Sequence, residues 1–223
     1  MDKFIALVPM KAYSERVKNK NIRDMCGKPL FYYIIETLHE CNHIEKIVVD
    51  TDSEFIKEKL RTNFSEVIIL DRPKELRDGH TPMNSIIAYD LKNIKGDYFL
   101  QTHATNPLLK SQTIDKAIEL FLSLGGYDSL FSVNRIQKRC YDSKGKPINH
   151  DLRTMHRTQD LTPIYEENSC IFLFTRKSFE LENNRIGRKP YLFEIDKRES
   201  MDIDDEFDFT LVKNIMSMKN LRA

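Results

Sequence analysis

Short apolar runs alternate with longer helical patterns through the first 135 residues, and this alternation limits the folds open to the chain. Phe4-Ile-Ala-Leu-Val8 is an unbroken apolar run of strand length. Pro29 suits the first turn of a helix, and Leu30, Ile34, Leu38 and Cys41 follow at helical spacing, which predicts one buried stripe. Lys46–Asp50 reads as a second strand, leading to a short helix that ends near Leu60, and Glu66–Leu70 reads as a third strand. After a polar loop from Arg72 to Thr81, Pro82 opens a helix with Met83, Ile87, Leu91 and Ile94 on one side. Tyr98–Leu100 is a fourth strand. Ser111 is a candidate cap for a helix that turns Ile114, Ala117, Ile118 and Phe121 inward, and Ser129–Val133 is a fifth strand beyond Gly125-Gly126. Strands separated by helices of this length imply right-handed βαβ units. The expected class is α/β, a three-layer, mostly parallel twisted sheet flanked by helices.

The rhythm changes over 135–167, which carries no long helical pattern; Cys140–Ile148 resembles a hairpin around a Ser-Lys-Gly turn. Ser169–Phe174 returns to strand, Phe179–Asn183 to a short helix and Tyr191–Ile195 to strand. A last helix carries Phe207, Leu211, Ile215 and Met218 at helical spacing. Without an internal repeat or a low-complexity linker, 1–223 is expected to form a single domain, with 135–165 as a small inserted β-arm that packs on a partner subunit, covers a substrate, or both.

Formal net charge is +1, so composition offers no case for nucleic acid or an anionic membrane, and any attraction for anions must be local. The four cysteines are widely spaced and form no CxxC, which suggests neither a zinc site nor a disulfide framework. A reducing cytoplasm is the expected setting. No apolar run approaches a membrane span, and Met1-Asp-Lys3 leads into only five apolar residues before Pro9, unlike a signal peptide.

The local attraction is found directly after the first strand, where Lys11, Arg16, Lys18 and Lys20 lie within ten residues beside Ser14 and Asn21. A solvated loop would look the same. Ligands of open α/β sheets, however, sit beyond the carboxyl ends of the strands, where cations stabilise phosphate. The loop has no glycine and does not match the Walker pattern. Near the other end, Asp202 and Asp204 stand two apart, so an extended backbone projects both carboxylates to one side. Such a pair suits Mg²⁺, which takes one or two carboxylates plus substrate phosphates. Acids ahead of Phe207 also suit a helix N-terminus, where Asp204 or Asp205 could cap, and the two roles are compatible. Gln101-Thr-His-Ala-Thr-Asn-Pro107 follows the fourth strand and is placed to line the same crevice; His103 there is either a base or a structural hydrogen-bonder. Arg72, Ser85, Arg157-Thr-Gln159 and Asn168 lie near other strand ends.

Together these residues resemble the acylneuraminate cytidylyltransferase family over nearly the whole chain. The likeness rests on Pro9-Met-Lys-Ala-Tyr-Ser-Glu-Arg-Val-Lys-Asn-Lys-Asn21, Gly27-Lys-Pro-Leu30, Asp50-Thr-Asp52, Arg72-Pro-Lys-Glu-Leu76, Thr105-Asn-Pro-Leu108, Arg157-Thr-Gln-Asp-Leu161, Asn168 and, most specifically, Ser200-Met-Asp-Ile-Asp204. The resemblance implies a nucleotide-diphospho-sugar transferase-like fold and a Mg²⁺-dependent transfer of CMP from CTP to a small acidic acceptor. That acceptor would be a nonulosonic, sialic-type sugar acid, and the product would serve cell-surface polysaccharide. Under the same resemblance Lys11, Arg16 and Lys20 serve catalysis, and Ser14, Asn21, Arg72 and Ser85 hold the nucleotide. His103, Thr105, Arg157, Gln159 and Asn168 meet the acceptor, and Asp202 and Asp204 hold the metal. It further implies a homodimer whose arm reaches toward the partner's acceptor site. The chain departs from the family with Lys11 for arginine, Tyr13 for glycine, His103-Ala104 for Gln-Pro, and Glu166-Glu-Asn-Ser169 for Arg-Pro-Asn-Gly.

Three other readings remain open at this level. A cytidylyltransferase for a phosphonate or non-sugar phosphate fits the same nucleotide-side residues. A glycosyltransferase shares the architecture and an Asp-x-Asp, though one expected at mid-chain. A non-catalytic nucleotide-binding protein would have little use for both aspartates and the lysine-rich loop.

Overall fold

The computed structural model describes residues 3–220 apart from Glu15 and Met155, and says nothing of the Lys219 and Asn220 side chains; Met1 and Asp2 of the opening lie outside it. In chain order the strands are β1 (Phe4–Leu7), β2 (Asp24–Met25), β3 (Lys28–Pro29), β4 (Ile44–Thr51), β5 (Ile68–Asp71), β6 (Tyr98–Gln101), β7 (Ser129–Ile136), β8 (Ile164–Thr175) and β9 (Pro190–Glu194). The helices are α1 (Leu30–His39), α2 (Glu54–Asn63), α3 (Met83–Asn93), α4 (Ser111–Ser123), α5 (Arg176–Glu182) and α6 (Glu206–Asn220).

Side chains of β1 alternate between the two faces of the sheet, and both faces are covered, which is why the strand reads as an unbroken apolar run. Phe4, Ala6 and Val8 pack with Phe31, Ile34 and Leu38 of α1, Ile56 and Leu60 of α2, and Ile114, Ile118 and Phe121 of α4. Ile5 and Leu7 pack with Ile87 and Leu91 of α3 and Phe179 of α5. Burying each such side chain stabilises the fold by about 1.5–3 kcal/mol. The result is three layers around a seven-stranded sheet in the order β5-β4-β1-β6-β8-β7-β9.

The pairs β5-β4, β4-β1 and β1-β6 are parallel, as the alternation predicts. The fifth strand of the sequence reading does not join β6. Instead β8 runs antiparallel between β6 and β7, and β7 pairs parallel with β9. Strand spacing alone could not announce this, because β8 comes later in the chain and enters the gap from the opposite direction.

Two local expectations change. Ser111 is not a cap: the N-cap is Lys110, and the Ser111 hydroxyl donates to Glu40 at 3.1 Å. In α6 the buried stripe is Phe209, Val212 and Met216, packed with Ile203 and Val17, whereas Phe207 and Met218 are exposed. Both sets have helical spacing; the buried face is the one toward Val17, Met25 and Ile203, against which Ile215 of the expected stripe is also partly buried, and the Arg23 guanidinium covers the Phe209 ring at 4.1 Å. The hairpin expected at Cys140–Ile148 is present, with the Ile148 N–H donating to the Cys140 carbonyl at 2.9 Å, and with Gly145 at φ 78°, a conformation that favours glycine in the turn.

Candidate active site

The carboxyl end of β1 leaves the sheet through Val8 and Met10, whose N–H groups donate to the Val48 and Asp50 carbonyls at 2.8 and 2.9 Å. The basic loop that follows is held at several points. Val17 is fully buried in the cluster under α6. The Ala12 N–H donates to Asp52 Oδ1 at 2.7 Å, Asn21 Nδ2 to the Lys11 carbonyl at 3.2 Å, and Lys11 Nζ to the Asp78 carbonyl at 3.3 Å. An anchored loop presents its cations in fixed places, which a freely solvated one does not.

The carboxylates reach the same place from the chain's end. Glu199 is pinned by Lys110, whose Nζ donates to Oε1 at 2.7 Å. Beyond it Ile203 is fully buried and its N–H donates to the Thr105 carbonyl at 3.1 Å. With Ile203 turned into the core, its neighbours Asp202 and Asp204 both turn outward. The cap of α6 is a different residue, Asp205, whose Oδ1 accepts from the Asp208 N–H at 2.9 Å while Asp208 Oδ2 accepts from the Asp204 and Asp205 N–H groups. Capping therefore leaves the carboxylates of Asp202 and Asp204 free for other work.

Loop and aspartates face each other across an open cavity of about 570 Å³, a size suited to a small ligand. Lys11, Ser14, Arg16, Lys20, Asn21, His103, Thr105, Asp202 and Asp204 all line it. Arg16 Nη2 donates to Asp204 Oδ1 at 2.7 Å, and Lys20 Nζ donates to the Ile203 carbonyl between the two aspartates. Burial pushes the Lys20 ammonium below its ordinary pKa, opposed by Asp202 and Asp204. Burial likewise raises Asp202, partly offset by its hydrogen bond with Thr105 and by Lys20. Asp202 Oδ1 is buried and has no hydrogen-bond partner among the described residues. An unsatisfied carboxylate oxygen beside a second carboxylate fits the two-carboxylate share that Mg²⁺ takes from protein, with phosphates and water completing its shell.

Five of the expected site residues lie elsewhere. Arg72 is buried, its Nε donating to Asp50 Oδ1 and its Nη2 to the Asp50 carbonyl. Ser85 is exposed in the first turn of α3. Arg157 pairs with Asp160 at 2.8 Å in a short turn, Thr158–Asp160, that also holds Gln159, on the connection between β7 and β8. Asn168 is buried in the sheet, its Oδ1 accepting from Ser132 Oγ at 2.5 Å and its Nδ2 donating to Asn134 Oδ1 at 3.1 Å. Its neighbour Ser169, at φ 59° where the β7–β8 register shifts, lines the cavity in its stead. Tyr13, Gly79 and Ala104 also line it. Sequence carries no sign of Ser169's place, because a bulge that reverses the facing of one residue depends on the partner strand.

The sheet order, with cations and carboxylates gathered where its strands end, defines the class as a three-layer α/β fold of the nucleotidyltransferase kind. The chain belongs to the cytidylyltransferase family, whose model matches residues 5–222. It is 31% identical over 228 residues to an N-acylneuraminate cytidylyltransferase of Escherichia coli O18:K1:H7 (strain RS218 / NMEC), covering 98% of this chain and 53% of that protein. It is 29% identical over 244 residues to the CMP-N,N'-diacetyllegionaminic acid synthase of Legionella pneumophila, with 97% of each covered. The chain thus spans about half the length of the E. coli relative and of its Streptococcus agalactiae counterparts. A solved CMP:2-keto-3-deoxy-manno-octonic acid synthetase complexed with CTP shares the fold, with TM-score 0.71 and 12% identity over 98% of this chain and 100% of that one. Among the described residues no helix is long and apolar enough to cross a membrane.

Proposed function

We propose that the chain is a Mg²⁺-dependent cytidylyltransferase that moves CMP from CTP to a nonulosonic, sialic-type sugar acid and releases pyrophosphate. The observation that carries this reading is that Lys11, Arg16 and Lys20 share one cavity with Asp202 and Asp204, Arg16 bonded to Asp204 and Lys20 to the Ile203 carbonyl between the two aspartates, in a cytidylyltransferase-family fold. The names of the E. coli and Legionella relatives support a sugar acid as acceptor.

The acceptor's anomeric oxygen attacks the α-phosphorus of CTP in line with the departing pyrophosphate, so positioning and charge neutralisation carry most of the catalysis. Lys11, Arg16 and Lys20 take the negative charge that gathers on the leaving group. A triphosphate offers Arg16 more charge than the single Asp204 oxygen it now holds, so substrate binding trades that ion pair and frees Asp204. Asp202 and Asp204 would hold Mg²⁺, which when bound neutralises phosphate charge and orients the α-phosphate. Ser14 and Asn21 would hydrogen-bond the nucleotide, and His103 and Thr105 the acceptor; all four line the cavity.

The functional unit is proposed to be a cytoplasmic homodimer of single-domain protomers. The 135–165 arm would carry Arg157 and Gln159 to the partner's cavity; the exposure of Tyr141, Ile148 and Leu152 on that segment supports a covered face there. A pyrophosphate-release screen crosses the four ribonucleoside triphosphates, with and without Mg²⁺, against sialic-type sugars, Kdo-type sugars, phosphonates and phosphorylated amino acids. Release with CTP, Mg²⁺ and a nonulosonic acid is expected. Release only with a phosphonate or phosphate would move the acceptor assignment, and no release with any pair would remove the catalytic reading.

A further inference from the structure

Behind His103 lies a polar network centred on Arg185, a residue that neither the family motifs nor the cavity lining includes. Arg185, in the segment between α5 and β9, is largely buried, with 14% of its side chain exposed. Its guanidinium lies 3.5 Å from the Phe172 ring centroid, with the Glu167 carboxylate at 3.6 Å. Its backbone N–H donates to Asn84 Oδ1 at 3.3 Å, which ties the segment to α3. Arg185 Nη1 donates to Gln101 Oε1 at the end of β6. Gln101 Nε2 then faces two groups, the Thr102 carbonyl at 2.9 Å and His103 Nε2 at 3.1 Å.

The direction of every bond in this chain is determined. A guanidinium only donates, so the Gln101 atom facing it must be the oxygen. A carbonyl only accepts, so the atom facing Thr102 must be the amide nitrogen, which agrees. One amide hydrogen goes to Thr102, and the other is left for His103 Nε2, which has to accept it with a lone pair. The ring proton then sits on Nδ1. No other group hydrogen-bonds the ring among the described residues, and His103 lines the cavity. Burial, with Arg185 and Lys20 nearby, pushes the His103 pKa down to about 3, which agrees with a ring that stays uncharged.

We propose that Arg185 is a positioning residue for the acceptor site: through Gln101 it holds His103 as the Nδ1-protonated neutral tautomer, a hydrogen-bond donor to an oxygen of the bound sugar acid. It follows that His103 is not the base that takes the acceptor's proton. Its one available polar atom already bears a proton, and its lone pair is engaged by Gln101. Only the acceptor-recognition part rests on the proposed reaction.

The test reads the imidazole nitrogens of the full chain labelled with ¹⁵N-histidine, with His103→Gln assigning the resonance. The expected result is a proton on Nδ1 and no titration between about pH 5 and pH 8, the range in which an ordinary histidine changes charge. A wild-type ring protonated at Nε2, or one titrating in that range, overturns the inference. Gln101→Glu replaces the donor by a carboxylate that accepts from Arg185 and His103 and no longer donates to the Thr102 carbonyl, so the proton is expected to move to Nε2 or the ring to become charged. Arg185→Lys keeps a donor toward Gln101 and should keep the tautomer, whereas Arg185→Met leaves only the Thr102 carbonyl to orient the amide and should admit a measurable Nε2-protonated fraction; an unchanged tautomer in Arg185→Met removes the positioning role of Arg185. In pyrophosphate release from CTP and N-acetylneuraminate, Gln101→Glu should raise the acceptor KM about tenfold with little change in kcat or in the KM for CTP. A shifted tautomer with an unchanged acceptor KM removes the recognition role. The tautomer is read whether or not the chain turns over, so failure of the proposed reaction and failure of this inference are distinguishable.

Discussion

Two arginine–aspartate pairs sit at the strand ends of this protein and behave in opposite ways. Arg72 and Asp50 are 1% and 0% exposed, with Asp90 packed beside them. Arg16 and Asp204 are 66% and 49% exposed on opposite walls of the cavity. A buried pair cannot exchange partners without leaving a charge stranded in a poor solvent, so it serves as structure. An exposed pair is worth little to stability and can be traded for a ligand. Burial, not residue type, separates the guanidinium that shapes the strand ends from the one that can meet phosphate.

The comparison breaks first at Arg72. Arg72→Ala strands Asp50 and should destabilise the fold by about 3–5 kcal/mol, read as a lower denaturant midpoint. A loss under about 1 kcal/mol would place Arg72 with the exchangeable cations after all. Next in size is Asp202→Asn, which removes a carboxylate without changing shape. It should lower Mg²⁺-dependent turnover by about a hundredfold or more while leaving the unfolding midpoint close to wild type. Retained turnover would remove the metal assignment.

A third measurement sharpens the buried side. Three ionisable groups share that pocket, one guanidinium and two carboxyls. Burial and then the Asp50 charge push Asp90 up to about 8, against the pull of Arg72. Burial raises Asp50 as well, held back by Arg72. The folded state therefore binds a proton that the unfolded state releases near the ordinary carboxylate range. The stability this contributes is present at acid pH and is lost as pH rises from about 4 toward about 8, by at most about 1.4 kcal/mol per pH unit. Asp90→Asn should flatten that slope, and an unchanged slope would show that the pair holds no extra proton. The smallest effect belongs to Arg16→Ala, which should change stability by less than about 1 kcal/mol although it removes the ion pair with Asp204. A larger loss would make that pair structural too.

Much of the site is legible in the sequence. Lys11, Arg16 and Lys20 follow an unmistakable first strand, and Asp202 and Asp204 alternate around an apolar Ile203, so local pattern puts the cations beyond a strand's carboxyl end and the two carboxylates on one side of an extended segment. Arg72 and Asn168 depart from their expected places for one reason. Arg72 follows the end of β5 and Asn168 lies within β8, and sequence does not say whether such a polar side chain turns toward solvent or toward a partner such as Asp50 or Ser132. Arg185 gives no signal at all. It lies in a polar run, Asn183-Asn-Arg185, without periodicity, and its value comes from Gln101, Phe172 and Glu167, which meet only when β6 and β8 pair.

By itself, then, the sequence determined what depends on near neighbours: strand and helix alternation, two faces of apolar side chains, the cations of one loop and the carboxylates of another. Tertiary structure decided what depends on distant partners. It inserted β8 antiparallel beside β6, chose Phe209 over Phe207 for the core, buried Arg72, and joined residues 16 and 204 across one cavity. The physical reason is that periodicity reports on one element at a time. Burial and hydrogen-bond direction belong to pairs of elements, and in this protein those pairs are far apart in the chain.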